Sequence, residues 1–128
     1  MAYNVLIVDD SQTMRTVIKK TVAISGFEIG QCWEAGDGQE ALEVLNEQWV
    51  DIILTDLNMP RMNGLELVRA LKSDEATRHI PVVLITTEGS EARVQEARSL
   101  GVEGYIQKPF YPEAIRDALN RIMETFHG

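Results

Sequence analysis

The sequence predicts an α/β fold, a doubly wound five-stranded parallel sheet with five helices over its two faces. Three observations predict it. Short apolar runs rich in β-branched residues alternate with segments of helical period along the whole chain. The clearest runs are apolar throughout, as strands buried on both faces require. Capping and stopping residues stand where one period gives way to the other.

The elements follow in order. Val5-Leu6-Ile7-Val8 is the first strand. Met14, Val17, Ile18 and Val22 mark one face of the first helix, which stops at Gly26 before Phe27. A left-handed glycine followed by an apolar residue is a Schellman-type ending. Glu28 to Trp33 is a strand of mixed character, which suits a less buried or edge position. Asp37 and Glu40 form a capping box ahead of the helix carrying Ala41, Leu42, Val44 and Leu45. Ile52-Ile53-Leu54 is the third strand. Asn63 caps a helix that begins at Gly64 and carries Leu65, Val68 and Leu71. Val82-Val83-Leu84-Ile85 is the fourth strand, and the helix after it ends at Gly101 before Val102. Gly104 to Gln107 is a short fifth strand, again with edge character. Ile115, Leu119, Ile122 and Phe126 give the last helix its stripe. Each crossover is expected to be right-handed.

Composition narrows the function. The chain has 128 residues, which suits one domain over residues 1–128. Its net charge of −8 disfavours nucleic acid and anionic membrane surfaces as partners. No apolar run approaches the ~18 residues of a membrane span, and no signal peptide is visible. Cys32 is the one cysteine, so no internal disulfide forms, and a reducing cytoplasm is the expected compartment. Cys32 reads as an inert core thiol. The surface helices carry no broad apolar stripe beyond what a core needs, so a monomer is expected. Only His127 and Gly128 follow the last helix, so no output domain is expected on this chain.

In an open α/β sheet the ligand crevice lies beyond the carboxyl ends of the strands. Asp9 and Asp10 follow the first strand and Asp56 follows the third. Thr86, Thr87 and Glu88 follow the fourth, and Lys108 and Pro109 the fifth. Crowded carboxylates stay ionised only with a cation among them, and a hard ion such as Mg²⁺ takes oxygen ligands. An Asp carboxylate also serves as a nucleophile toward phosphorus. A metal and an ammonium group then neutralise the phosphoryl oxygens. In isolation Asp9 and Asp10 read equally well as helix caps, and Thr86 as an ordinary strand-end threonine. The company of Asp56 and Lys108 favours the chemical reading. His79 lies before a strand start, away from the crevice, and His127 is terminal, so neither reads as a metal ligand.

Five stretches in the right order resemble the receiver domain of bacterial two-component response regulators, of the single-domain chemotaxis type. They are Val8-Asp9-Asp10-Ser11, Asp56-Leu57-Asn58-Met59-Pro60, Met62-Asn63-Gly64-Leu65-Glu66-Leu67, Ile85-Thr86-Thr87-Glu88, and Gly104-Tyr105-Ile106-Gln107-Lys108-Pro109-Phe110. The resemblance implies a flavodoxin-like strand order of 2-1-3-4-5. It implies Asp56 as phosphoacceptor, with Asp10, Asp56 and the Asn58 carbonyl as ligands of Mg²⁺ (or Mn²⁺) and Asp9 acting through water. It implies that Lys108 pairs with the phosphoryl group and precedes a cis proline. It implies Thr86 and Tyr105 as a switch pair that remodels the face of the fourth helix, fifth strand and fifth helix. The implied partners are a histidine kinase and a downstream target protein. The protein would catalyse its own phosphorylation and hydrolysis without a separate turnover substrate.

Asn58, Thr87 and Glu88 sit where members of this family tune phosphoryl access. Thr87 replaces the common alanine, so moderate to fast hydrolysis, slowed somewhat by Thr87, is expected. The surface at Ser90, Glu91, Arg93, Arg116 and Asp117 does not closely copy that of the flagellar-motor-binding type. A phosphatase of the haloacid dehalogenase type would need an acid at position 58, where Asn58 stands. An FMN carrier would need a phosphate loop where Asp9 and Asp10 would repel the phosphate. A pseudo-receiver that only docks would have no use for the acidic cluster.

Overall fold

The computed structural model describes residues 2–87 and 91–127, with the side chains of all of these but Phe126 and His127. Five β–α units follow one another: β1 (Tyr3–Val8), α1 (Gln12–Ser25), β2 (Ile29–Ala35), α2 (Gly38–Glu47), β3 (Ile52–Thr55), α3 (Gly64–Ser73), β4 (Val82–Thr86), α4 (Glu91–Ser99), β5 (Gly104–Gln107) and α5 (Pro112–His127). The strands form one sheet in the order β2-β1-β3-β4-β5, every pair parallel. The two strands of mixed composition, β2 and β5, are its edges.

Alternation along the central strands builds the two sides of the core. Val5 and Ile7 of β1, Ile52 and Leu54 of β3, and Val83 and Ile85 of β4 face α1 and α5, where they meet Ile18, Val22, Ile115 and Leu119. Leu6, Val8, Ile53 and Val82 face the other way, onto Ala41, Leu67, Val68 and Leu71 of α2 and α3. All of these central-strand residues are 0–1% exposed. Burying each one fully contributes roughly 1.5–3 kcal/mol. A third, smaller cluster under α4 holds Leu57, Leu65, Leu84 and Ala97.

The caps explain where the helices begin and end. Asn63 and Glu66 form a complete capping box at α3. At the end of α4, the Val102 N–H bonds to the Ala97 carbonyl and the Gly101 N–H to the Arg98 carbonyl. That is the Schellman pattern, with Gly101 left-handed at φ 101°.

Three expectations need correction. Strand β2 runs Ile29–Ala35 rather than from Glu28 to Trp33, because its pairing with β1 continues to Ala35 opposite Val8. Asp37 caps α2 by accepting the Glu40 N–H, but the Glu40 carboxylate reaches back to the Gly36 N–H instead of Asp37, so the box stays open. Ser11 caps α1, accepting the Met14 N–H, so the alternative reading of Asp9 and Asp10 as helix caps, which the sequence disfavours, is not realised. Val17 is 45% exposed, since Ile18 and Val22 face the sheet and Val17 lies about 100° around the helix from Ile18.

Cys32 is half-buried on β2 and packs against the α1–α5 side of the core. Burial pushes its thiol above the ordinary range, Lys19 offsets part of this, and Glu34 reinforces it. The thiolate is the reactive form. Alkylation of folded protein near neutral pH is therefore expected to be much slower than of the urea-unfolded chain, in a mass-spectrometric time course. Equal rates would contradict an inert thiol.

Among the described residues no helix is long and apolar enough to cross a membrane.

Candidate functional site

Strand register builds the site. Val8 pairs with Thr55 across β1 and β3, so the next residues, Asp9 and Asp56, emerge side by side. The Asp56 N–H donates to the Val8 carbonyl at 2.8 Å, which carries the alignment one step past the strands. Carboxylate oxygens of Asp9, Asp10 and Asp56 lie within 4.8 Å of one another. Asp9 is buried, Asp56 half-buried and Asp10 exposed.

Each acidic residue is held differently. One Asp9 oxygen accepts the Ser11 N–H at 2.9 Å, and the other faces the Lys108 ammonium at 3.3 Å. The Asp9 carbonyl accepts a 2.6 Å bond from Arg15, whose other contact is Glu34 on β2. Asp56 Oδ1 accepts the Leu57 N–H at 2.8 Å. Behind Asp56 the chain folds back closely: a Cβ on Gly64 would lie 2.4 Å from the Asp56 carbonyl, so only glycine fits there.

Lys108 is delivered by β5. Its N–H bonds to the Thr86 carbonyl at 2.9 Å, and the Lys108–Pro109 peptide is cis, as the family resemblance implies. Its side chain is 11% exposed. It is the only cation among the described residues that forms an ion pair with this acidic cluster.

The negative charge exceeds what one ammonium balances. Two carboxylates at about 5 Å repel by about 3 kcal/mol at an effective dielectric near 20. A further cation with oxygen ligands fits this donor set, and Mg²⁺ is held in this way by one or two carboxylates, waters and phosphate oxygens. Asn58 is exposed in the loop after Asp56.

The remaining predicted residues divide into two groups. Thr86 is fully buried at the end of β4, and Thr87 is exposed beside Lys108, lining a largely apolar cleft of about 310 Å³ with Met14, Val17 and Phe110. Glu88 lies outside the described residues. Tyr105 is half-buried on β5, paired with Leu84, and borders a cleft of about 240 Å³ between α4, β5 and α5. That cleft is also lined by Arg98 and Arg121.

Two arginines escape a reading of the sequence. Arg15 locks the Asp9 main chain, and Arg61 pairs with Asp37 at the start of α2. For Arg15 a signal was present, one turn beyond Ser11 on the helix that follows the acidic pair. Burial pushes the Asp37 carboxyl up, but the Glu40 N–H and Arg61 outweigh it and hold it below the usual carboxylate range.

The chain is similar to known proteins over nearly its whole length. The sequence pattern of the response regulator receiver domain matches residues 5–120. The chain is 40% identical over 124 residues to chemotaxis protein CheY of Pseudomonas aeruginosa, covering 97% of this chain and 98% of that protein. It is 44% identical over 121 residues to chemotaxis protein CheY1 of Helicobacter pylori, covering 94% and 96%. Among solved structures, the chemotaxis response regulator CheY4 of Vibrio cholerae superposes with a TM-score of 0.82 at 35% identity, covering 95% of this chain and 99% of that one.

Proposed function

The chain belongs to the response regulator receiver family and is homologous to chemotaxis response regulators, and from that premise we propose that it is a signalling switch phosphorylated on Asp56. Receivers are signalling switches rather than conventional enzymes. The observation that carries the reading is the cluster of Asp9, Asp10 and Asp56 with Lys108 as its ionic partner.

An Asp56 carboxylate oxygen attacks the phosphorus of a phosphohistidine on a kinase. The new P–O bond replaces the P–N bond, and the imidazole leaves. Asp10, Asp56 and the Asn58 carbonyl would hold Mg²⁺ (or Mn²⁺) directly, with Asp9 acting through water. Bound there, the ion would neutralise charge on the phosphoryl oxygens. Lys108 pairs with one phosphoryl oxygen, exchanging Asp9 for it, and Thr86 donates to another. Hydrolysis returns the switch to rest, with Asn58, Thr87 and Glu88 controlling the approach of water.

Output is proposed to use the face of α4, β5 and α5. Tyr105 borders its cleft, so a shift of Thr86 toward the phosphoryl group and of the ring inward would reshape it. Arg98 and Arg121 line this cleft together with Glu103, so the face offers charges of both signs to a protein target. A monomer working in a reducing cytoplasm, in a chemotaxis-type pathway, is the matching physiological setting.

The test is intact mass after incubation with acetyl phosphate and Mg²⁺. One phosphoryl adduct, absent when a chelator removes the metal, is expected. No adduct, and no binding of beryllofluoride, would reduce the chain to a docking module with a receiver fold.

A further inference from the structure

Arg61 has φ 61°, and it is the one non-glycine residue with left-handed backbone among the described residues. A residue with a Cβ takes that conformation at a cost, so its surroundings must hold it there. The next N–H, of Met62, turns back onto the Pro60 carbonyl at 2.6 Å. The Arg61 side chain crosses to α2, where Nε and Nη2 both donate to Asp37 Oδ2, the former at 2.7 Å. Asp37 is itself 3% exposed and fixed by the Glu40 N–H. A main-chain bond runs in parallel, from the Gly38 N–H to the Met62 carbonyl at 3.1 Å.

The pinned turn lies in the segment that follows Asp56. At one end of that segment, the Gly64 N–H holds the Leu57 carbonyl at 2.9 Å. Among the described residues no hydrogen bond fixes Asn58 itself. Its position depends on these pins on either side of it, and among them the Arg61–Asp37 pair is the one that joins two side chains.

We propose that Arg61 is a positioning residue for the metal site: through its ion pair with Asp37 it holds the turn that fixes the main chain at Asn58. This rests on the reading of Asp10, Asp56 and Asn58 as Mg²⁺ ligands. Arg61 touches neither the metal nor the phosphoryl group. It fastens the metal-binding loop to the start of α2, a helix that otherwise takes no part in the site.

The test uses Arg61→Gly, which relaxes the backbone while removing the tether, and Asp37→Asn, which removes the charge while keeping a good helix cap. Mg²⁺ affinity is measured by titration calorimetry, alongside the urea midpoint of the metal-free protein and hydrogen exchange at the Gly38 amide. Each variant is expected to raise the Mg²⁺ Kd on the order of tenfold, the lower end of what outer partners of a metal site cost. The double variant should be no weaker than either single one, because both break one contact. Gly38 should exchange faster in all three. Unchanged affinities overturn the proposal, as do effects that add in the double variant or that appear only in the urea midpoint. If Arg61→Gly fails to fold, the Mg²⁺ affinity of Asp37→Asn against the parent still decides the matter. A parent that binds no Mg²⁺ overturns the metal-site reading and this proposal with it, whereas a binding parent with unaffected variants overturns this proposal alone.

Discussion

Replacing Asp56 by Asn is expected to abolish the phosphoryl adduct outright while making the metal-free protein more stable. The amide nitrogen and oxygen of Asn share their electrons and form no acyl phosphate, so intact mass after acetyl phosphate and Mg²⁺ should show the unmodified chain. The stability effect has the opposite sign because Asp56 stands in a crowd. Its carboxylate lies within 4.8 Å of those of Asp9 and Asp10. Each pair repels by about 3 kcal/mol at an effective dielectric near 20. Asp10 is exposed and Lys108 already offsets Asp9. Screening therefore leaves a net gain on the order of 1 kcal/mol, read as a higher urea midpoint with chelator present. Saturating Mg²⁺ should narrow or reverse the gap, since it binds the folded parent more tightly than the variant. An adduct on the variant would relocate the phosphoacceptor. A lower metal-free midpoint would mean that the hydrogen bond from the Leu57 N–H outweighs the repulsion.

Much of this was legible in the sequence because the relevant signals are local. The fully apolar runs at Val5–Val8 and Val82–Ile85 demanded central strands, and the mixed runs ending near Trp33 and Gln107 demanded edges. The site was legible because strand ends converge: once the sheet is parallel, Asp9, Asp56 and Lys108 have one edge to share. What escaped was set by tertiary partners. Arg61 and Asp37 lie 24 residues apart, and nothing in either neighbourhood signals the other. The Glu40 carboxylate had two N–H groups within reach, and spacing alone does not choose Gly36 over Asp37. Val17 fits the helical period within one residue, yet that residue turns it out of the core and into the cleft beside Lys108. Helix α4 buries only Ala97, so its period is faint by necessity and its capping glycine is the clearer sign. The thin anchoring of α4 also suits the remodelling of its face that is proposed above.

Replacing Lys108 by Met tests the same electrostatics from the other side. Methionine keeps most of the length and removes the ammonium. Phosphorylation by acetyl phosphate is expected to slow on the order of 10²–10³-fold, the usual cost of losing one preorganised group that stabilises transition-state charge. Asp9, 3% exposed at its side chain, would lose its ionic partner. Breaking a buried pair from one side costs roughly 3 kcal/mol, so the metal-free protein should unfold at lower urea, opposite to Asp56→Asn. Mg²⁺ should then stabilise Lys108→Met more than the parent, because the ion no longer competes with an ammonium for the acidic cluster. Lys108→Arg separates charge from shape: its planar fork restores the pairing with Asp9 and much of the stability, but it does not reproduce a compact ammonium beside the phosphoryl oxygen. Stability rescued by Arg with the rate still low would assign Lys108 two separable roles, counter-ion at rest and phosphoryl partner during transfer. Full rescue of both would mean that the site needs only a positive charge at the end of β5.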